Sequence, residues 1–174
     1  MTVSLTTLMM MCAPLVHPTT LQALIEVESA GNPYAVSVNY PQALRNAGVE
    51  LPQFAQPRSA HEAQALARAL LARGYTVSIG LAQINVEHLA AWSLQLSDLL
   101  NPCVNLALAQ RILLDCDAMQ AERSAAGAHI RLLRTLRCYN EGDRAISAHS
   151  PYAANIARAA RRRDVLARAA RGPA

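Results

Sequence analysis

Paired start and stop signals for helices run through most of this chain and constrain its fold more than any other feature. Ser59 and Glu62 have the spacing of a capping box, and Gly74 follows as a C-terminal cap. Pro102 has the residue type and position that favour the first turn of a second helix. A third helical run, "HIRLLRTLRCYNEG", ends at Gly142. The chain is therefore expected to consist mainly of helices.

A single compact domain suits a chain of 174 residues of which 52% are hydrophobic. Aromatic residues make up only 4%, which argues against a sheet sandwich. Two short alternating segments, "YAVSV" and "YTVSI", are expected to pair as strands. We predict an α+β, mainly α-helical fold with a small β-hairpin beside the helices. Its predicted parts are an apolar segment at 1–17, the main domain at 18–157 and a basic C-terminal helix or tail at 158–174.

The cysteines form an even set: Cys12, Cys103, Cys116 and Cys138. They contain no CxxC motif and no paired histidines accompany them at metal spacing, so we predict no metal site and no cofactor. An even set favours two disulfides, for which three pairings exist. Disulfides indicate an oxidising compartment such as a periplasm, whereas buried free thiols in a cytosolic domain are the alternative.

The apolar stretch "VSLTTLMMMCAPLV" is 14 residues long. It is too short to span a bilayer, and it lacks the basic residues and the cleavage site of a signal peptide. We predict no stable membrane span, and an export signal is not evident. The stretch is either a packed leader segment or the start of a chain whose export signal is missing.

The net charge of +4 comes with arginines crowded into the last third of the chain. They form no stripe interleaved with aromatic residues, so we predict no nucleic-acid partner. Arg158, Arg161, Arg162 and Arg163 stand together in the final helical run. They either clamp a polyanion or form a solvated, frayed end. We predict the solvated end, because a charge run at a terminus usually stays in water.

Two glutamates in the run "IEVESAGNP" differ in the helix face they occupy. Leu21, Leu24 and Ile25 precede Glu28 at helical spacing, so Glu28 shares their apolar face, whereas Glu26 is predicted to be a solvent charge. Burial disfavours the ionised form of a carboxyl group, so such a group can hold a proton at neutral pH and donate it. Glycoside cleavage requires a general acid of this kind. The alternative is a structural glutamate paired with an arginine.

Two further segments carry polar side chains at a turn or at a helix end. "SIGLAQIN" places Gln83 and Asn85 after a strand-like segment, where Gly80 lets a ligand approach the backbone and amides can bind a sugar. "CYNEG" places Tyr139 and Asn140 at a helix end, where a tyrosine can stack on a sugar or orient a carboxylate. Each segment taken alone also fits an ordinary loop or an ordinary core residue.

The segments "ESAGNPYAVS", "GLAQIN", "NPCVNLALAQRIL" and "LRCYNEG...YAANI" follow one another in the order and spacing of the soluble lytic transglycosylase domain. The resemblance extends over about residues 12–157. It implies the goose-type lysozyme-like fold, and the chain looks most like the specialised lytic transglycosylases of type IV secretion and conjugation systems. The implied partners are peptidoglycan glycan strands and components of the secretion or conjugation channel. The implied location is the periplasm or cell envelope.

By this resemblance Glu28 is the sole catalytic carboxylate. It would protonate the oxygen between N-acetylmuramic acid and N-acetylglucosamine, and the C6 hydroxyl of the muramic acid would then attack its own anomeric carbon. A 1,6-anhydro end would result. Gln83 would hold the acetamido group or the backbone of the sugar, and Tyr139 would orient Glu28. The implied substrate-binding residues are Ser29, Gln83, Asn85, Tyr139 and Asn140.

Rival functions fit parts of the same pattern. A hydrolytic lysozyme on this fold would need a positioned water and usually a second acidic group, for which Glu141 or Asp143 is available. Glu141 departs from the usual family motif and either tunes Glu28 or only caps its helix. A non-catalytic assembly factor that binds peptidoglycan would leave Glu28 unused at a desolvation cost. A cysteine hydrolase would need a histidine at a spacing that pairs it with a cysteine, and the sequence offers none.

Overall fold

The computed structural model describes residues 3–39, 50–123, 127–142 and 150–171. Three short strands lie among its helices: β1 (Val36–Asn39), β2 (Thr76–Ile79) and β3 (Ile84–Asn85). This confirms the predicted α+β, mainly helical class. The described helices are α1 (Leu5–Cys12), α2 (Pro18–Ser29), α3 (Ala60–Ala72), α4 (His88–Ala91), α5 (Pro102–Arg123), α6 (Ala128–Glu141) and α7 (Pro151–Arg171), with a 3-10 turn at Asp98–Leu100.

The chain divides into two compact units. The first unit comprises residues 1–27 and 107–174, and the second comprises residues 28–106. The division falls inside α2 and inside α5. The predicted parts 1–17, 18–157 and 158–174 describe a different division, and their bounds stay a prediction.

Helix α1 is the apolar segment at the start of the first unit. The Ser4 side chain caps it by accepting a hydrogen bond from the Thr7 N–H at 3.1 Å. Met9 and Cys12 are buried, so the segment is packed into the protein. None of the helices in the described ranges has both the length and the hydropathy needed to cross a bilayer.

Helices α6 and α7 pack against each other in the same unit. A disulfide joins Cys116 on α5 to Cys138 on α6, and both cysteines are buried beside Ile112 and Met119. No cysteine is free among the described residues, which include all four cysteines of the chain. The predicted disulfide chemistry is therefore confirmed, and the structure selects the Cys116–Cys138 pair from the possible pairings.

The second unit contains a three-stranded antiparallel sheet of order β1-β2-β3. Val36 of β1 pairs with Ile79 of β2, which confirms the predicted pairing of the two alternating segments. Helix α3 packs against β1 and β2. Strand β3 pairs with β2 through Ile84 and was not predicted, because two residues are too few to form an alternating pattern.

The helix ends follow local capping chemistry. The Ser59 hydroxyl oxygen accepts the Glu62 N–H at 3.2 Å, and Gly74 has a φ of +82° just beyond α3. The Asn101 side chain accepts the Cys103 N–H at 2.9 Å at the start of α5. Gly142 follows α6 with a φ of +77°. The three helices predicted from these signals are thus confirmed, since side-chain caps act within one turn of the residues they serve.

Candidate active site

Glu28 is the penultimate residue of α2. The residues that precede it on the apolar face are fully buried: Leu21 and Leu24 are 0% exposed, and Ile25 is 1% exposed. Glu28 itself is half-buried. The helix ends immediately after it, because Ala30 and Gly31 both have a positive φ, at 51° and 82°. The buried apolar face that the spacing predicted is therefore present, and Glu28 follows it at the end of the helix.

Ser29 connects this helix end to a turn far along the chain. Its hydroxyl donates to the Leu81 carbonyl oxygen at 2.8 Å, and its oxygen accepts the Gly31 N–H at 3.2 Å. Leu81 is 52 residues away in sequence and lies in the "GLAQIN" segment. The hydrogen bond is buried, so water does not compete for it. The structure thus brings the "ES" and "GLAQIN" segments together.

The turn between β2 and β3, residues 80–83, is named the site turn here. Gly80 has a φ of +88°, and its N–H donates to the Ala35 carbonyl oxygen at 2.9 Å. Gln83 has a φ of +51°, which is uncommon for a residue other than glycine. Two positive φ values within four residues make the turn tight, and contacts from outside the turn must hold it in this shape.

The side chain of Gln83 makes two contacts with residues outside the turn and one within it. Its Nε2 donates to the carbonyl oxygens of Ala35 at 3.1 Å and Gly80 at 2.9 Å. Its Oε1 accepts the Ser37 hydroxyl at 2.7 Å. Both amide hydrogens are therefore used inside the protein, and the described residues use only one of the two lone pairs of Oε1. A ligand would meet Gln83 as a hydrogen-bond acceptor.

Asn85 lies in β3 and bonds locally. Its Oδ1 accepts the Glu87 N–H at 2.9 Å, and its Nδ2 donates to the Glu87 carboxylate at 3.4 Å. Tyr139 and Asn140 lie near the end of α6 in the first unit, with Tyr139 half-buried and Asn140 exposed. Their predicted roles toward Glu28 stay predictions.

Glu26 departs from the prediction that it is a solvent charge. Its Oε1 accepts a hydrogen bond from Arg162 at 3.2 Å, and its Oε2 accepts one from Arg163 at 2.8 Å. The Glu26 side chain is 34% exposed. These two arginines join α7 to α2, so the helix is not frayed at this point, although the Arg162 side chain stays 67% exposed. Helical spacing could not predict these ion pairs, because Glu26 is more than 130 residues away from both arginines in the sequence.

Glu141 and Asp143 were the candidates for a second acid. Glu141 forms an ion pair with Arg137 at 2.7 Å on the same helix, the geometry of a pair four residues apart. Asp143 lies outside the described residues. Among the described residues no three His, Cys, Asp or Glu side chains converge to hold a metal ion.

A cavity of about 430 Å³ is lined by residues of α6, α7 and Ser150. None of the predicted site residues lines it. Its walls are mainly apolar, with His129 and Arg161 as the basic groups.

Comparison with known proteins decides the family. A family model described as the Transglycosylase SLT domain matches residues 7–160. The chain belongs to this family. The resemblance drawn from the four sequence segments is thereby confirmed, and with it the lysozyme-like fold.

Relatives with similar sequences are type IV secretion system protein virB1 of Brucella suis biovar 1 and of Brucella abortus biovar 1. Each is 33% identical over 132 residues, which is 76% of this chain and 51% of the relative. Protein virB1 of Agrobacterium fabrum is 32% identical over 132 residues, which is 76% of this chain and 49% of the relative. The chain spans about half the length of the curated relatives it matches. No solved structure matches the chain significantly.

Proposed function

We propose that the protein is a lytic transglycosylase that cleaves the bond between N-acetylmuramic acid and N-acetylglucosamine in peptidoglycan. Glu28 donates its proton to the bridging oxygen as the bond from that oxygen to the anomeric carbon breaks. The Glu28 carboxylate then takes the proton of the muramic acid C6 hydroxyl, whose oxygen forms a new bond to the same anomeric carbon. The products are a 1,6-anhydro end and a free C4 hydroxyl, and no water is consumed.

The observation that carries this proposal is the buried hydrogen bond from Ser29 to the Leu81 carbonyl at 2.8 Å. It ties the helix end that bears Glu28 to the site turn, so a half-buried carboxyl group and the turn proposed to bind the sugar belong to one unit. Family membership supports the reaction class. A reaction of this kind needs a single carboxyl group that acts first as acid and then as base, which fits one glutamate at this position.

We propose that Gln83 contacts the substrate through the remaining lone pair of Oε1. The N–H of an acetamido group or a sugar hydroxyl is the partner that fits, since both hydrogens of Nε2 already bind backbone carbonyls. Ser29 supports the site by holding the site turn. Asn85, Tyr139 and Asn140 complete the proposed set of residues that bind substrate or orient Glu28.

We further propose that the protein opens the cell wall locally for a type IV secretion or conjugation apparatus, in the periplasm or cell envelope. The relatives named type IV secretion system protein virB1 support this setting. The oxidised state of all four cysteines supports it as well, because disulfides persist in oxidising compartments. The proposed partners are peptidoglycan glycan strands and components of the secretion channel.

Mass spectrometry of the muropeptides released from purified peptidoglycan tests the reaction. Wild type is compared with Glu28→Gln, which keeps the shape of the side chain but removes the acid proton. Glu26→Gln is the matched control, since it makes the same change two residues away on the same helix. We expect anhydro-muropeptides from wild type and from Glu26→Gln, and a loss of about 10²-fold or more for Glu28→Gln.

Other outcomes contradict specific parts of the proposal. Reducing-end products from wild type would identify a hydrolytic lysozyme. Retention on peptidoglycan without any release by wild type would identify a binding or assembly protein. Full activity of a folded Glu28→Gln variant would show that another group is the acid.

A further inference from the structure

Asn105 is a polar residue with no exposed surface in the middle of an apolar run of α5. It is 0% exposed, and its neighbour Leu106 is also 0% exposed. A primary amide transferred from water to such a position without hydrogen bonds costs about 1–3 kcal/mol in proteins. A buried asparagine therefore needs hydrogen-bond partners for both its amide N–H groups and its oxygen.

The structure provides three such partners, all in the second unit. Asn105 Nδ2 donates to the carbonyl oxygens of Ile79 at 2.8 Å and Leu99 at 2.9 Å. Asn105 Oδ1 accepts the Ala82 N–H at 2.8 Å. Ile79 immediately precedes the site turn, and Ala82 lies within it. One planar amide therefore bridges the site turn with its donor on one side and its acceptor on the other.

Gly80 lies directly against this amide. A Cβ atom built on Gly80 would be 2.8 Å from both Asn105 Cγ and the Leu99 carbonyl oxygen. Carbon atoms in contact are ordinarily about 3.5–4.0 Å apart, so only a glycine fits here. The Asn105 amide thus occupies the space that a side chain at position 80 would need.

The direction of the hydrogen bonds distinguishes asparagine from its isosteres. Aspartate has the same size but accepts only, so it would face the carbonyl oxygens of Ile79 and Leu99 without a proton to share. Leucine has the volume but would remove all three buried hydrogen bonds, those to the carbonyl oxygens of Ile79 and Leu99 and the one from the Ala82 N–H. Asparagine supplies two donors and an acceptor at once.

We propose that Asn105 is a positioning residue that holds the site turn in register with Glu28. Asn105 does not touch the substrate and acts through Ala82, whose N–H it binds. Ala82 lies between Leu81, whose carbonyl oxygen accepts the Ser29 hydroxyl, and Gln83. A shift of Ala82 moves both of these groups. The expected effect on turnover rests on the proposed function. The hold of Asn105 on the site turn follows from its three hydrogen bonds alone.

The test compares Asn105→Asp and Asn105→Ser with Asn101→Asp. Asn101 lies four residues earlier and caps the same helix, but its Oδ1 only accepts, from the N–H groups of Cys103 and Val104. Aspartate preserves that role at a helix N-terminus, so Asn101→Asp is the matched control for the same chemical change. Asn105→Ser is the milder variant, because a hydroxyl is small and can both donate and accept.

The first readout is the hydrogen exchange of the Ala82 amide, which needs no substrate. We expect the Asn105 variants to lose protection at Ala82, while Asn101→Asp keeps it. The second readout is kcat and KM on soluble glycan strands, measured at a temperature where circular dichroism shows each variant to be folded. We expect the turnover of folded Asn105→Ser to fall by about 10-fold to 10²-fold, since small misplacements of catalytic groups have effects of this size.

Folded Asn105→Ser with wild-type kcat, wild-type KM and a protected Ala82 amide would overturn the proposal. Loss of protection at Ala82 with unchanged kinetics would reduce Asn105 to a structural residue and overturn its positioning role. Should wild type itself form no anhydro product, the proposed function fails, whereas the exchange of Ala82 still decides whether Asn105 clamps the site turn.

Discussion

Substitution of Gly80 by alanine is predicted to destabilise the protein far more than the same substitution at Gly74. The two glycines have nearly the same conformation, with φ values of +88° and +82°. A Cβ atom on Gly74 would meet nothing within 4 Å, whereas one on Gly80 would lie 2.8 Å from the Leu99 carbonyl oxygen. The pair therefore separates the cost of the backbone conformation from the cost of the close approach.

The expected magnitudes follow from these contacts. An L-residue in the left-handed region costs about 1–2 kcal/mol, and the less flexible unfolded chain offsets roughly 0.4–1 kcal/mol of this. Gly74→Ala should therefore lower the free energy of unfolding by about 1 kcal/mol. At Gly80 the amide of Asn105 must also move, which breaks or weakens its buried hydrogen bonds at about 1–3 kcal/mol each. Gly80→Ala should lower the free energy of unfolding by at least about 3 kcal/mol.

Urea unfolding followed by circular dichroism measures both variants against wild type. The comparison requires an unchanged dependence of the free energy on urea, so that the same surface is exposed in each case. Equal losses for Gly80→Ala and Gly74→Ala, within about 0.5 kcal/mol, would refute the reasoning. In that case Asn105 and the Leu99 carbonyl would have to move aside at little cost, and the hold of Asn105 on the site turn would be weak.

Two further predictions concern covalent and ionic links in the first unit. Replacement of both Cys116 and Cys138 by alanine should lower the free energy of unfolding by about 3 kcal/mol, because the disulfide closes a loop with a sequence separation of 22. An unchanged urea midpoint under non-reducing conditions would contradict this. Arg163→Ala should cost at most about 1 kcal/mol at low salt and almost nothing at high salt, since its ion pair with Glu26 is about a third exposed. An equal loss at both salt concentrations would point to packing and not charge.

Helices were predictable wherever their ends depend on neighbouring residues. Ser59 caps a group three residues away and Asn101 caps one two residues away, so a short window of sequence contains the whole interaction. The pairing of β1 with β2 was predictable because both segments alternate over several residues. Strand β3, formed only by Ile84 and Asn85, carries no such pattern and exists because the site turn leads it back onto β2.

The candidate site was predictable in part. Helical periodicity placed Glu28 on the face of Leu21 and Leu24, and the structure has both leucines fully buried. The ion pairs of Glu26 were not predicted, because periodicity describes one helix and contains no information about the arginines that α7 brings to it. The hydrogen bond that the Ser29 hydroxyl donates likewise depends on a residue 52 positions away.

The sequence by itself predicted the capped helices and the pairing of β1 with β2, and it indicated Glu28 as the candidate acid, since caps and periodicity depend on nearby residues. Only the tertiary structure decided which groups share a site. Asn105 illustrates the reason. A buried amide must satisfy its donors and acceptor with whatever surrounds it, and its surroundings come from Ile79, Ala82 and Leu99, segments that meet it only in the folded chain. The residues that surround Asn105 in the folded chain thus decide its role, which the apolar sequence around it does not indicate.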